Sequence, residues 1–375
     1  MTTTAATLAP AENLRSLTGL RFFAAIMVVL YHVSRYIPPS LGFDAVFGLG
    51  YVGVTFFFVL SGFILTWTYR PGDTPRAFYG RRFARVWPLH VLLTMAALIF
   101  LVVASRPQNP FGLALAIPLL QAWAPPGDLH YAYNGVSWTL SCEAFFYAMF
   151  PALILVVLSN RNMKRWIAGL VGAMILFVIL VLAIAGTASD LAGVTSEQLT
   201  GFALYVFPGF RIGEFVLGMM LAAFLRSGWS PKLSVLGTAA AVAAAYIVLL
   251  VFAAAFFDSP FDVPMGVIDL VMMPFLAALI VAAAVRDTRK GGGVLTHPAL
   301  VALGQWSFAL YIVHELVIRV ADQFIRVDNA GGEWARALGC VVLSIGLAAA
   351  LFRLVERPLE RGLRHRLGSR ASVAH

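Results

Sequence analysis

The sequence predicts an all-α protein, a polytopic transmembrane bundle of about ten spanning helices with both termini on the cytoplasmic side. Three observations carry that expectation. Of the 375 residues, 60% are hydrophobic and only 12% are charged, about half the charge of an ordinary soluble domain. The mean hydropathy of +0.85 comes from separated apolar runs, each long enough to cross a bilayer. The basic residues then alternate from one side of these runs to the other.

A span needs about 20 mostly apolar residues. Ten stretches qualify: 17–36, 51–69, 86–105, 136–158, 166–186, 204–225, 234–256, 265–285, 304–323 and 337–355. Residues 111–123 are apolar but short, and read as an interfacial or re-entrant piece. With the N-terminus inside, 20 of the 27 lysines and arginines fall on cytoplasmic segments, among them Arg76, Arg81, Arg82 and Arg85 before the third span. Only Arg35, Arg106, Arg326 and Arg336 fall outside, and Arg21, Arg211 and Arg319 lie within spans. That bias is the positive-inside pattern, and it accounts for the net charge of +9 without invoking nucleic acid. The division expected is a disordered tail over 1–13, a membrane domain over 14–360 and a basic cytoplasmic tail over 361–375. The opening MTTTAATLAPAEN has no basic region followed by an apolar one, so no cleavable signal is expected. The multi-pass chain is expected in the cell's inner, cytoplasmic membrane.

Polar residues inside spans are costly, and so point to function. In LRFFAAIMVVLYHV, Arg21 and His32 are eleven residues apart. Eleven steps of about 100° return within roughly 20° of one helix face, about 16 Å along the axis. A snorkelling arginine and an interhelical histidine bond are the plainer alternatives. GVSWTLSCEAFFYAMFP carries a single carboxylate, Glu143, in an aromatic span. Pairing with His32 or Arg21 would satisfy it. A His–Glu pair would hold one imidazole tautomer for base catalysis; a salt bridge that merely positions helices is the other reading. FYGRRFARVWP brings Arg81, Arg82 and Arg85 to the start of the third span. Arg82 and Arg85 share a face and suit phosphate, or serve as a cytoplasmic anchor.

Other motifs read as structure. Gly53, Ser61 and Gly62 let the second span pack closely, and Ser61 has no adjacent base that would make it a nucleophile. Arg211 and Glu214 can pair at i, i+3. Ser307, Tyr311 and His314 share a face by their spacing of four and three. Cys142, beside Glu143, is expected to be an inert buried thiol. The two cysteines and seven histidines form no disulfide or metal pattern, so no metal is expected.

Taken in order, these motifs resemble the acyltransferase-3 family of integral membrane acyltransferases. The matching segments are the Arg21–His32 helix, GVTFFFVLSGFILT, FYGRRFARVWPLH, SWTLSCEAFFYAMFP, LGQWSFALYIVHELV and VERPLER, spread over about residues 14–360. The resemblance implies transfer of an acyl group, commonly acetyl from acetyl-CoA as co-substrate, to a hydroxyl. Envelope glycans and macrolide-type natural products are the acceptors it implies. It implies His32, Glu143 and Arg21 as catalytic residues and Arg81, Arg82 and Arg85 as the acyl-CoA-binding set, with no resident cofactor. A second acidic residue follows the glutamate in many members; here Ala144 stands there. The chain is also expected to act without the extracellular hydrolase-like domain that some members carry. The competing class is a proton-coupled transporter or flippase, for which intramembrane Arg, His and Glu serve equally well.

Overall fold

A computed structural model describes residues 14–124, 128–160, 162–187, 194–259 and 262–368. The expected tail over 1–13, Arg161 and residues 369–375 lie outside the described residues. Among those described, the fold is all-helical and ten helices are long and apolar enough to cross a membrane, in the order the hydropathy predicts. Their main α-helical segments are α1 (Arg15–Ser34), α2 (Gly53–Trp67), α3 (Pro75–Val103), α4 (Trp138–Ser159), α5 (Met163–Thr187), α6 (Pro208–Arg226), α7 (Val235–Phe256), α8 (Met265–Thr288), α9 (Pro298–Phe324) and α10 (Ala330–Leu351), with the spans of α2, α4, α6 and α10 extended by adjoining turns and helices to Asp44–Trp67, Gly135–Ser159, Ser196–Arg226 and Ala330–Gly362. A π-helical turn, Phe352–Glu356, joins α10 to α11 (Arg357–Gly368), so the expected boundary at residue 360 falls within a helix.

Capping explains where the observed ends depart from the hydropathy. Helix α3 starts well before the predicted residue 86 because Thr74 accepts a bond from the Ala77 amide at 3.3 Å, with Pro75 in the first turn. The arginines of that first stretch are helical, though too polar to count toward a span. Helix α9 likewise begins at Pro298, where His297 Nδ1 accepts from the Ala299 amide. Pro208 has no amide hydrogen to continue a helix from above, and the preceding Phe202–Val206 winds as a π turn.

Helices α1, α2, α6, α8 and α9 form the centre. A side-chain carbon at Gly62 would strike the Phe215 carbonyl of α6, and one at Gly218 would strike the Val59 carbonyl of α2. Two bare positions therefore let these backbones touch, as the small residues of the second span predict for their own side of the contact. Gly53 meets the Ala24 carbonyl of α1 in the same manner, and Gly304 of α9 meets that of Thr18. Helices α5 and α7 contribute little to the core and expose Leu176, Ile179, Leu180, Leu236, Val248 and Val251. An apolar surface of that extent suits lipid rather than water.

The connection from α3 to α4 enters the bundle. Its first part holds a short helix, Pro110–Ala116, and a turn, Gln121–Trp123. Asn134 Nδ2 then donates to the Ile312 carbonyl at 2.8 Å, and the Val136 amide to Glu315 Oε2 at 2.9 Å. Both acceptors lie in α9. Gln121 Nε2 donates to the Ser137 carbonyl at 2.9 Å, tying the two parts together. The start of α4 is thus anchored beside the middle of α9, which carries Glu143 deep into the bundle.

Candidate functional site

Between α1, α2, α3, α4 and α9 lies a cavity of about 120 Å³. Arg21 enters it from α1, Arg82 and Arg85 from α3, Glu143 and Tyr147 from α4, Ser61 from α2, and Ser307 and Tyr311 from α9. Phe57, Phe58, Leu60 and Ile64 supply an apolar wall. Arg82 and Arg85 reach it together because three residues apart is one helix face.

Glu143 Oε1 accepts from Ser61 Oγ at 3.3 Å and from the Tyr147 hydroxyl one turn along α4. Arg21 is within electrostatic reach of Glu143, Arg85 and Glu356, and Arg85 of Glu143 and Glu356. Arg82 lies 5.8 Å from the ring centres of both Phe78 and Tyr147. Its Nε, like Ser307 Oγ, is buried without a hydrogen-bond partner among the described residues. Three guanidiniums thus face one lining carboxylate, and donors remain unspent. Such a cavity favours an anionic ligand with acceptor atoms.

His32 stands apart from that lining. Its Nδ1 lies 2.9 Å from the Val28 carbonyl and 3.2 Å from His314 Nε2. His314 Nδ1 in turn lies 3.2 Å from the Leu310 carbonyl. The two imidazoles meet edge to face, centroids 4.9 Å apart. Tyr311, whose ring is 5.9 Å from that of His314, lines the cavity and separates it from the histidine pair. The Tyr311 hydroxyl lies 3.0 Å from Thr139 Oγ1, which is also in the cavity wall.

The structure brings Arg21, Arg82, Arg85 and Glu143 to one cavity. Of the two partners expected for Glu143, it corrects His32, whose neighbour is His314; Glu143 is held by Ser61 and Tyr147, within electrostatic reach of Arg21. Arg81 is not in the lining. It pairs at the surface with Asp73, although it lies one turn before Arg85 and only about 40° from it around α3. Ser61, Tyr147 and Glu356 were not marked as site residues by sequence, and His314 was read as structural. The signal available for His314 was its place on one helix face with Ser307 and Tyr311. Among the described residues, no group of three or more His, Cys, Asp or Glu side chains is placed to hold a metal ion. Cys142 is buried and its thiol lies 3.3 Å from the Val206 carbonyl.

Fold and cavity together define a polytopic helical membrane protein with a cationic, part-polar chamber inside its bundle. The chain belongs to the acyltransferase domain family, which it matches over residues 14–353. It is similar to acyltransferase MdmB of Streptomyces mycarofaciens, 32% identical, over 96% of this chain and 94% of that protein. The exopolysaccharide production protein ExoZ of Rhizobium meliloti is 27% identical over 84% of this chain and 91% of its own length. The peptidoglycan O-acetyltransferase OatA of Listeria monocytogenes is 23% identical over 92% of this chain, which spans only 56% of that protein. No solved structure matches the chain. Family and relatives support O-acyl transfer as the class of reaction, carried out by a multi-pass membrane protein.

Proposed function

We propose that this protein transfers an acetyl group from acetyl-CoA to a hydroxyl of a carbohydrate, with an envelope glycan as acceptor. The observation that carries the reading is the convergence of Arg21, Arg82 and Arg85 on one cavity beside Glu143. Carbohydrate is favoured as acceptor because the names of two relatives refer to exopolysaccharide production and to peptidoglycan O-acetylation.

In this scheme Arg82 and Arg85 grip the donor's phosphates, and the thioester arm runs through the cavity toward Tyr311. Arg21 neutralises charge along that path. Glu143, held by Ser61 and Tyr147, keeps the three guanidiniums spaced. His32 serves as general base at the far side of Tyr311. The acceptor oxygen forms a bond to the thioester carbonyl carbon as its proton passes to His32 Nε2. The carbon–sulfur bond then breaks, the electron pair leaves on sulfur, and the proton returns from His32 to give free CoA thiol. Thioester to ester transfer is favourable, so positioning and proton transfer are the main tasks left to the protein. With the N-terminus inside the cell membrane, the arginines face the cytoplasmic donor and His32 lies nearer the outer side.

The test is purified protein with isotope-labelled acetyl-CoA and a panel of carbohydrate acceptors. Label should move to a hydroxyl with wild type and not with His32→Ala. Near-normal transfer by that variant would sink the base assignment. Failure of acetyl-CoA to bind at all would favour a transport function.

A further inference from the structure

The second histidine has no part in that scheme, yet its Nε2 lies within hydrogen-bond distance of the proposed base. A backbone carbonyl only accepts hydrogen bonds. The Val28 carbonyl, 2.9 Å from His32 Nδ1, therefore requires a proton on that nitrogen. The Leu310 carbonyl, 3.2 Å from His314 Nδ1, requires the same of the other ring. With both rings neutral, each Nε2 carries a lone pair. That of His314 lies 3.2 Å from His32 Nδ1 and shares its one hydrogen with the Val28 carbonyl, as the longer arm of a three-centre bond. That of His32 makes no hydrogen bond to any described residue, and so remains available to a substrate hydroxyl. Every nitrogen of the pair is accounted for by one tautomer assignment.

We propose that His314 is the positioning residue of the reaction: its Nε2 shares the Nδ1 hydrogen of His32 with the Val28 carbonyl, holds the ring with Nε2 as the base, and shares the positive charge when that base is protonated. The proposal rests on His32 being the base. It gives His314 the role of the orienting third group in a hydrolase triad, with a neutral imidazole where a carboxylate would usually stand. The construction suits its surroundings. His314 is fully buried, and a buried carboxylate at this point would demand a cation of its own, whereas a neutral acceptor demands none. It also explains the nearby contacts. Tyr31 packs edge-on against His32 with centroids 4.9 Å apart, and Tyr311 covers His314 at 5.9 Å. The two rings are thus confined by other aromatic groups and cannot turn away from each other without moving a tyrosine.

No covalent change is needed beyond the transfer already written. As the acceptor proton arrives at His32 Nε2, the existing Nδ1 hydrogen strengthens its bond to His314 Nε2. As the proton leaves for the CoA sulfur, that bond relaxes.

The experiment uses full-length protein, labelled acetyl-CoA and the acceptor that wild type accepts. His32→Ala is measured first, since substantial activity in it would remove the base itself and with it the reading on which this proposal rests. Given an inactive His32→Ala, His314→Ala should lower kcat by about ten- to a hundredfold, the size expected for losing one hydrogen bond to a charged group. The KM for acetyl-CoA should stay within about threefold, a shift smaller than one ordinary hydrogen bond. His314→Gln places an amide oxygen near the lost nitrogen and should restore most of kcat. Wild-type turnover in His314→Ala, or a Gln variant as impaired as the Ala variant, overturns the proposal. Should either variant fail to fold, nitrogen-15 NMR of the wild-type side chains decides. A scalar coupling between His32 Nδ1 and His314 Nε2 across their shared hydrogen supports the proposal; its absence, or a neutral His32 protonated on Nε2, overturns it.

Discussion

Arg211 Nη1 lies 2.6 Å from Asp269 Oδ2 and 3.2 Å from Glu214 Oε1, with all three side chains buried. Thr55 of α2 closes the group, donating to Glu214 at 3.1 Å and accepting from Arg211 Nη2 at 3.3 Å. Phe58 and Tyr205 cover the guanidinium at 5.1 and 5.4 Å. One cation thus ties α2, α6 and α8 together at the back of the cavity wall. Removing it in Arg211→Ala would leave two carboxylates facing each other without a counter-charge, at a cost of about 3–5 kcal/mol. Thermal unfolding of the detergent-purified variant should show a clear drop in Tm. An unchanged Tm would mean that the group contributes nothing to holding the helices.

The contact between Gly62 and Gly218 leads to a different expectation. A methyl group at residue 218 falls on the Val59 carbonyl, which cannot move without its helix. Overpacking typically costs about 1–3 kcal/mol, and here it also pushes α2, with Ser61, away from its neighbours. Gly218→Ala should therefore reduce both Tm and acetyl transfer, and Gly169→Ala, at a position with open space around it, should reduce neither.

For the proposed donor site, Arg85→Ala and Arg82→Ala should each raise the KM for acetyl-CoA by about tenfold or more, the loss of one charge-assisted hydrogen bond. The acceptor KM should change little. Arg85→Lys should not restore the wild-type value, because an ammonium lacks the planar fork of donors. Equal effects on both substrates would count against the phosphate assignment.

Glu143 is held by two hydroxyls, so the predictions for Ser61→Ala and Tyr147→Phe are coupled. Each removes one donor, worth about 0.5–1.5 kcal/mol net, and should lower kcat/KM by about two- to tenfold. The double variant should lose less than the product of the two, since both act through one carboxylate. Strict multiplicativity would show that the hydroxyls act independently of Glu143.

Sidedness is open to a direct chemical check. Cys142 and Cys340 are both buried, so background labelling should be low. A membrane-impermeant maleimide should label Gln108→Cys in intact cells, and Lys232→Cys only after the membrane is opened. The reverse pattern would invert the proposed path of donor and acceptor.

Much of this bundle was legible as sequence because its rules are local. Span length, loop charge and helical spacing depend on neighbours a few residues away. They gave ten helices, the shared face of Arg82 and Arg85, the Arg211–Glu214 pair and the close packing at Gly62. Contacts between distant segments have no such signal. Asp269 joins Arg211 from 58 residues away, and His314 meets His32 across 282. The sequence reading therefore offered Glu143, the one carboxylate of its aromatic span, as the partner of His32 or Arg21. The error over His32 has a geometric cause. Arg21 and His32 share a face, but at about 16 Å apart along the axis they meet different neighbours, and Glu143 lies at the level of the arginine. Arg81 stays out of the lining for a reason no spacing rule carries: it is only about 40° from Arg85 around the helix, but an ion pair with Asp73 of the preceding loop holds it at the surface.

The anchoring of Asn134 to Ile312 has a consequence for biogenesis. The two residues are 178 apart in the chain. A ribosome working at about 5–20 residues per second leaves the Asn134 side chain waiting roughly 10 to 40 seconds for its acceptor. The residues around the start of α4 thus reach the bilayer long before the helix that completes their hydrogen bonds exists. Insertion of the early helices and assembly of the bundle must be separate events, and the cavity can take its final shape only once α9 has been made.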